Sequence, residues 1–156
     1  MKTAVLSGNY KQAESVAIQL NAMGYECSIQ TQSNLFLQSG RVAEYGLFIV
    51  DLDTCADSMD LTLVTRVRSA TDGVKPILVL TDGDLDDDGV AELFVAGADC
   101  HMRKPLRTGE FAARVGAILR RAYPESVRSA NLIQIGDYEL DSECRRVTLR
   151  GKLLKL

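Results

Sequence analysis

The feature that most constrains this chain is an alternation. Short β-rich apolar runs recur, and helix-like segments stand between them. The runs are "TAVLS" (3–7), "YECSIQT" (25–31), "LFIVD" (47–51), "KPILVLT" (75–81) and "DCHM" (99–102). Ala13, Val16, Ala17, Leu20 and Met23 fall at helical spacing across 10–24, with Gly24 where a C-cap sits. Leu61, Val64 and Val67 do the same across 58–70, and 87–98 reads as a helix stopped by Gly97. Residues 33–44 are expected to form a short helix. The stretch 107–122 is amphipathic, with Phe111, Val115, Ile118 and Leu119 on one face, Thr108 as N-cap and Arg120/Arg121 in the last turn. Strands each followed by a helix require right-handed crossovers. The fold class is therefore α/β, a parallel sheet covered on both faces.

In such sheets functional groups gather beyond the carboxyl ends of the strands. Three side chains are expected there: Asp51 after the third strand, Thr81 after the fourth and Lys104 just after the fifth. An acid where a buried strand leaves the core is costly unless something uses it. An acid, a hydroxyl and an amine on one rim suit the handling of an anion.

Charge adds little to this. Residues 1–122 carry 12 Lys/Arg against 16 Asp/Glu, and 123–156 carry 6 against 5, so no strongly basic region calls for nucleic acid. The acid is concentrated in "DGDLDDDG" (82–89). Cys27, Cys55, Cys100 and Cys144 form no CxxC pair, the start lacks a secretory apolar run, and nothing approaches the roughly 18 apolar residues of a membrane span. The expectation is a cytoplasmic protein with reduced thiols and no membrane partner.

After a linker over 123–131 the period changes to two. "LIQIGDYELD" and "RRVTLRGKLLKL" read as strands of an antiparallel meander over 132–156, with Arg150-Gly151 as the hairpin turn. The meander is expected to open a second domain that continues past Leu156.

The segments "VAEYGLFIVDLD", "KPILVLT", "AGADCHMRKPL" and "GEFAARVGAILRRA" together resemble, in order and spacing, the receiver domain of two-component response regulators. The tail resembles the N-terminal β-meander of the winged-helix DNA-binding domain in the OmpR/PhoB subfamily. The resemblance implies a flavodoxin-like (βα)5 sheet of order 2-1-3-4-5 over 1–122, followed by a truncated winged-helix domain. It places Asp51 at the phosphoacceptor position, Thr81 at the switch hydroxyl, Lys104 at the phosphate-contacting lysine and His101 at the switch aromatic. It also implies a cis peptide before Pro105. The departures are as informative. Where the family carries two adjacent metal-holding acids, this chain has Ser7 and Gly8. A hydroxyl and a hydrogen atom cannot replace two carboxylates around Mg²⁺, which such phosphoryl transfer relies on. No cofactor is expected beyond weakly held Mg²⁺, for which Asp53 is the candidate substitute ligand. Asp51 is then expected to persist as the ion-pair partner of Lys104.

The resemblance also implies a homodimer through helix 4, strand 5 and helix 5. Val90, Phe94, Val95, Asp99 and Arg114 fall on that face, and the two valines replace charged residues. The fragment "DLDDDG" (84–89) matches half of a calcium loop, but Val95 stands where its bidentate glutamate belongs. Helix capping by Asp86, Asp87 and Asp88 is the better reading. His101 reads as a surface residue, and Asp82 and Asp84 as loop acids that repel a phosphate donor. No GxGxxG or P-loop pattern marks the first strand–helix turn, so a nucleotide enzyme is disfavoured. The reading is a non-enzymatic regulatory domain that dimerises without phosphorylation and meets DNA only through the part beyond Leu156. The alternative is an ordinary receiver phosphorylated at Asp51 by a histidine kinase.

Overall fold

The computed structural model describes residues 1–52, 61–125, 132–141 and 146–154. Asp53, Cys55 and Cys144, singled out in the sequence, lie outside them. The chain divides into two units, Met1–Ile118 and Leu119–Leu156.

The first unit follows the alternation. Its strands are β1 (Lys2–Ser7), β2 (Glu26–Gln30), β3 (Leu47–Leu52), β4 (Ile77–Thr81) and β5 (Cys100–Arg103), all parallel in the order β2-β1-β3-β4-β5. The helices are α1 (Tyr10–Ala22), α2 (Ser33–Gln38), α3 (Thr62–Ala70), α4 (Asp87–Ala96) and α5 (Thr108–Ala122). This is the flavodoxin-like strand order that the resemblance implies. Every residue of β3 and β4 is buried, whereas the edge strands β2 and β5 are only partly so. That gradient is why the central strands read as unbroken apolar runs and β2 as an alternating one. Each fully buried Phe48, Ile49 or Val50 contributes ~1.5–3 kcal/mol over leaving it in water.

Helix ends follow local chemistry. Asn9 caps α1, its Oδ1 accepting the Gln12 amide at 3.3 Å. Asp86 caps α4, accepting from the Gly89 amide at 2.8 Å, so the acidic stretch does serve a helix start. Residues 33–44, expected as one helix, are two pieces. After α2, Ser39 turns its hydroxyl onto the Phe36 carbonyl at 2.6 Å, Gly40 is left-handed at φ 72°, and a separate 3-10 turn spans Arg41–Glu44.

The amino-end rim of the sheet is tied by cations. Lys75 Nζ donates to the carbonyls of Val42 (3.2 Å), Ala43 (2.7 Å) and Tyr45 (2.6 Å). Arg68 donates to the carbonyls of Gly97 (Nε, 3.0 Å) and Lys75 (Nη1, 2.8 Å) and pairs with Asp99 at 2.6 Å. Gly97 ends α4 at φ 119°, and a Cβ there would stand 2.8 Å from the Arg68 side chain. That position has room only for glycine.

The second unit holds an antiparallel sheet of order β6-β7-β8-β9: Leu132–Ile135, Tyr138–Asp141, Arg146–Leu149 and Lys152–Leu153. Arg150 and Gly151 form the β8–β9 turn with φ 48° and 77°. Both values are positive, as a two-residue hairpin turn favours. The pairing puts Ile133, Ile135, Tyr138, Leu140, Val147 and Leu149 on one face, with Ile133, Ile135 and Tyr138 exposed. Among the described residues no helix is long and apolar enough to cross a membrane.

Candidate functional site at the carboxyl rim

Parallel register sets the site. Ser7 of β1 lies beside Asp51 of β3, and Thr81 of β4 beside Leu52, so the carboxyl ends of three central strands stand side by side. Asp51 is buried, yet both its oxygens have partners. Ser7 Oγ donates to Oδ2 at 2.8 Å, and Lys104 Nζ donates to Oδ1 at 2.5 Å. Ser7 Oγ also accepts the Asn9 amide at 3.1 Å, which fixes the hydroxyl at the start of α1.

Lys104 enters from the loop after β5, where the Lys104–Pro105 peptide bond is cis. Its amine reaches three groups: Asp51, Asp82 Oδ1 at 2.8 Å and Gln12 Oε1 at 2.8 Å. Burial pulls the Lys104 pKa down, but the hydrogen bonds and charges of Asp51 and Asp82 outweigh it, leaving the amine above its ordinary value. An ion pair this buried persists because further hydrogen bonds satisfy both partners. Asp84, two residues after Asp82, pairs with Arg103. The two loop acids are thus bonded to consecutive basic residues, Lys104 and Arg103. Neither Asp82 nor Gln12 was singled out as a partner of Lys104. Only their proximity to the rim pointed that way.

Thr81 is fully buried and faces away from Asp51 in its bonding. Its Oγ1 donates to the Gly83 carbonyl at 3.2 Å and lies 2.9 Å from His101 Nε2. Those two contacts are mutually consistent when the Nε2–H tautomer donates to Thr81. His101 is half-buried on the edge strand, with its ring bonded to Thr81. Burial, and then the Arg114 charge, lower its pKa below 6.5.

The other expected positions are placed as follows. Among the described residues, none lies within 4 Å of a Cβ added at Gly8. On α4, Val95 is 88% exposed and Phe94 is exposed, while Val90 is half-buried. Asp99 Oδ2 accepts from Arg68 and from the Ile77 amide at 2.8 Å, and Arg114 pairs with Glu110 at 2.9 Å. Both charges are therefore engaged within the chain. Among the described residues no cluster of three or more His, Cys, Asp or Glu side chains could hold a metal.

No family model matches the chain. It is 33% identical over 144 residues to the DNA-binding response regulator MtrA of Mycolicibacterium smegmatis, covering 92% of this chain and 60% of that protein. It is 32% identical over 155 residues to the transcriptional regulatory protein PmrA of Pectobacterium parmentieri, covering 97% and 66%. The chain thus spans about three fifths to two thirds of the length of these relatives. Among solved structures it resembles the response regulator DrrB, a Thermotoga maritima OmpR/PhoB homolog, with TM-score 0.58 and 24% identity over 99% of this chain and 66% of that one. Sequence kinship and sheet order agree: this chain belongs to the two-component response regulators of the OmpR/PhoB type, and its five-stranded unit is their receiver domain.

Proposed function

We propose that this chain is the regulatory part of a cytoplasmic transcription factor whose receiver acts by dimerising, without phosphorylation of Asp51. One observation carries the reading. Both oxygens of the acceptor carboxylate are satisfied inside the protein, by Ser7 and Lys104, where the family carries acids that hold a metal. The described residues do not fit Mg²⁺ in that seat. Ser7 brings one neutral hydroxyl already bonded to Asp51, Gly8 offers no side-chain oxygen, and a hard cation needs several oxygen ligands in near-octahedral array.

Dimerisation would use α4, β5 and α5. Val90, Phe94 and Val95 give that face apolar character, and Asp99 and Arg114 are already bonded within the chain. Such a face depends less on charge steering than a salt-bridged one. The antiparallel sheet β6–β9 is read as the start of a winged-helix domain, with DNA read by residues outside this chain. Specific DNA binding by residues 1–156 alone is not expected.

The test is incubation with Mg²⁺ and a small phosphodonor, followed by intact mass. The parent chain should stay unmodified. Rapid, near-stoichiometric gain of one phosphoryl group, lost in Asp51→Asn, would sink the reading. A second reading keeps one observation on its side: Asp51, Thr81 and Lys104 still share one rim. In that case a histidine kinase phosphorylates Asp51, and the same experiment would show it.

A further inference from the structure

The ammonium of Lys104 has three protons to donate, and all three are assigned: to Asp51, Asp82 and Gln12. The side chain that carries it is largely buried, with exposure of 13%. Two carboxylates against one ammonium leave the cluster with a net negative charge, which disfavours an incoming phosphate. Next to this clasp the Asp84–Arg103 pair ties the same loop to the end of β5. The residues are ordered for this: Asp82 follows β4 directly, Lys104 follows β5 directly, and Gln12 lies in the first turn of α1.

We propose that Asp82, supported by Gln12, is a built-in anionic ligand of Lys104 that holds the amine closed. It occupies the contacts a phosphoryl group on Asp51 would otherwise need, and it clamps the loop after β4 to the loop after β5. Asp82 is thus a positioning residue that fixes the state of the rim without any covalent modification. The inference rests on the reading that Asp51 is not phospho-switched.

Amine reactivity tests it directly. The full chain, Asp82→Ala, Asp82→Asn and Gln12→Ala are acylated with a water-soluble N-hydroxysuccinimide ester, and each lysine is followed by peptide mass spectrometry. Lys104 should label slowly in the parent and about tenfold faster in Asp82→Ala, the factor expected for losing one charge-assisted hydrogen bond. Asp82→Asn and Gln12→Ala should fall between. Lys75, held by three carbonyls at the opposite rim, should keep its parental rate in every variant. Equal Lys104 labelling in parent and Asp82→Ala would overturn the proposal. So would a parallel rise at Lys75, which would mark general unfolding.

A second arm restores the two acids. With Mg²⁺ and a small phosphodonor, Ser7→Asp/Gly8→Asp/Asp82→Ala should be phosphorylated about tenfold faster than Ser7→Asp/Gly8→Asp, by the same factor. Equal rates would show that Asp82 does not guard the lysine. Phosphorylation of the parent would instead count against the proposed function and leave the labelling ratio standing as a separate result.

Discussion

Two lysines at opposite rims of one sheet show how differently the same cation can be used. Lys75, at the amino end, gives its protons to three neutral backbone carbonyls. Lys104, at the carboxyl end, gives its protons to two carboxylates and an amide. Both ammonium groups are fully engaged, yet only one sits among charges that must be balanced. The amino rim needs a donor to satisfy orphaned carbonyls, and water could stand in for it. The carboxyl rim needs a positive charge, because Asp51 is buried and a second acid lies within reach of the same nitrogen. A buried carboxylate stripped of its counter-ion is far costlier than an unpaired carbonyl.

The sharpest way to break this comparison is Lys104→Met. It leaves Asp51 buried without a cation and should cost about 3–5 kcal/mol in urea unfolding. Lys75→Met removes a donor from neutral acceptors, and the loss should be smaller, about 1–3 kcal/mol. If the two variants lost the same stability, charge would not be what distinguishes the rims. Alkaline titration sharpens the point further. The folded pKa of Lys104 lies above 10.5, so its contribution is fully present below that value and fades as pH rises through the folded pKa. The alkaline limb of the stability curve should therefore be shallower in Lys104→Met than in the parent.

The smallest expected effect concerns His101, the only histidine of the chain. Its pKa is lowered, so its neutral form is favoured on folding. That contribution is present above 6.5 and is lost as pH falls toward the folded value. Proton NMR of the single imidazole should give a midpoint below 6.5 in the folded chain. Arg114→Ala removes the nearby positive charge and should raise that midpoint. A titration identical to that of a free imidazole would mean the ring is not buried in solution.

Much of the fold was legible because burial on both faces writes itself as continuous apolar text. The runs ending in Asp51 and Thr81 are of this kind, and the resemblance supplied the strand order. The break at Gly40 was missed because helical spacing on either side masks a single left-handed residue. At the rim, the positions of Asp51, Thr81 and Lys104 could be read from strand ends alone. What could not be read is which side chain each one touches. Asp82 read as a loop acid that repels a phosphate donor and Asp99 as part of a dimer face, while Gln12 was not singled out. Their actual bonds to Lys104 and Arg68 join elements far apart in sequence, and no local periodicity encodes such pairs. The contact of His101 with Thr81 is equally non-local, since strand register brings the two together.

The space beside Gly8 makes that position open to substitution. An acid placed there disturbs no packing among the described residues, since none of them lies within 4 Å of the added Cβ. Ser7 is different: it is 2% exposed and bonded to Asp51, so replacing it severs a contact before any new one forms. The two neighbouring positions are therefore unequal in tolerance: Gly8→Asp should cost less in urea unfolding than Ser7→Asp.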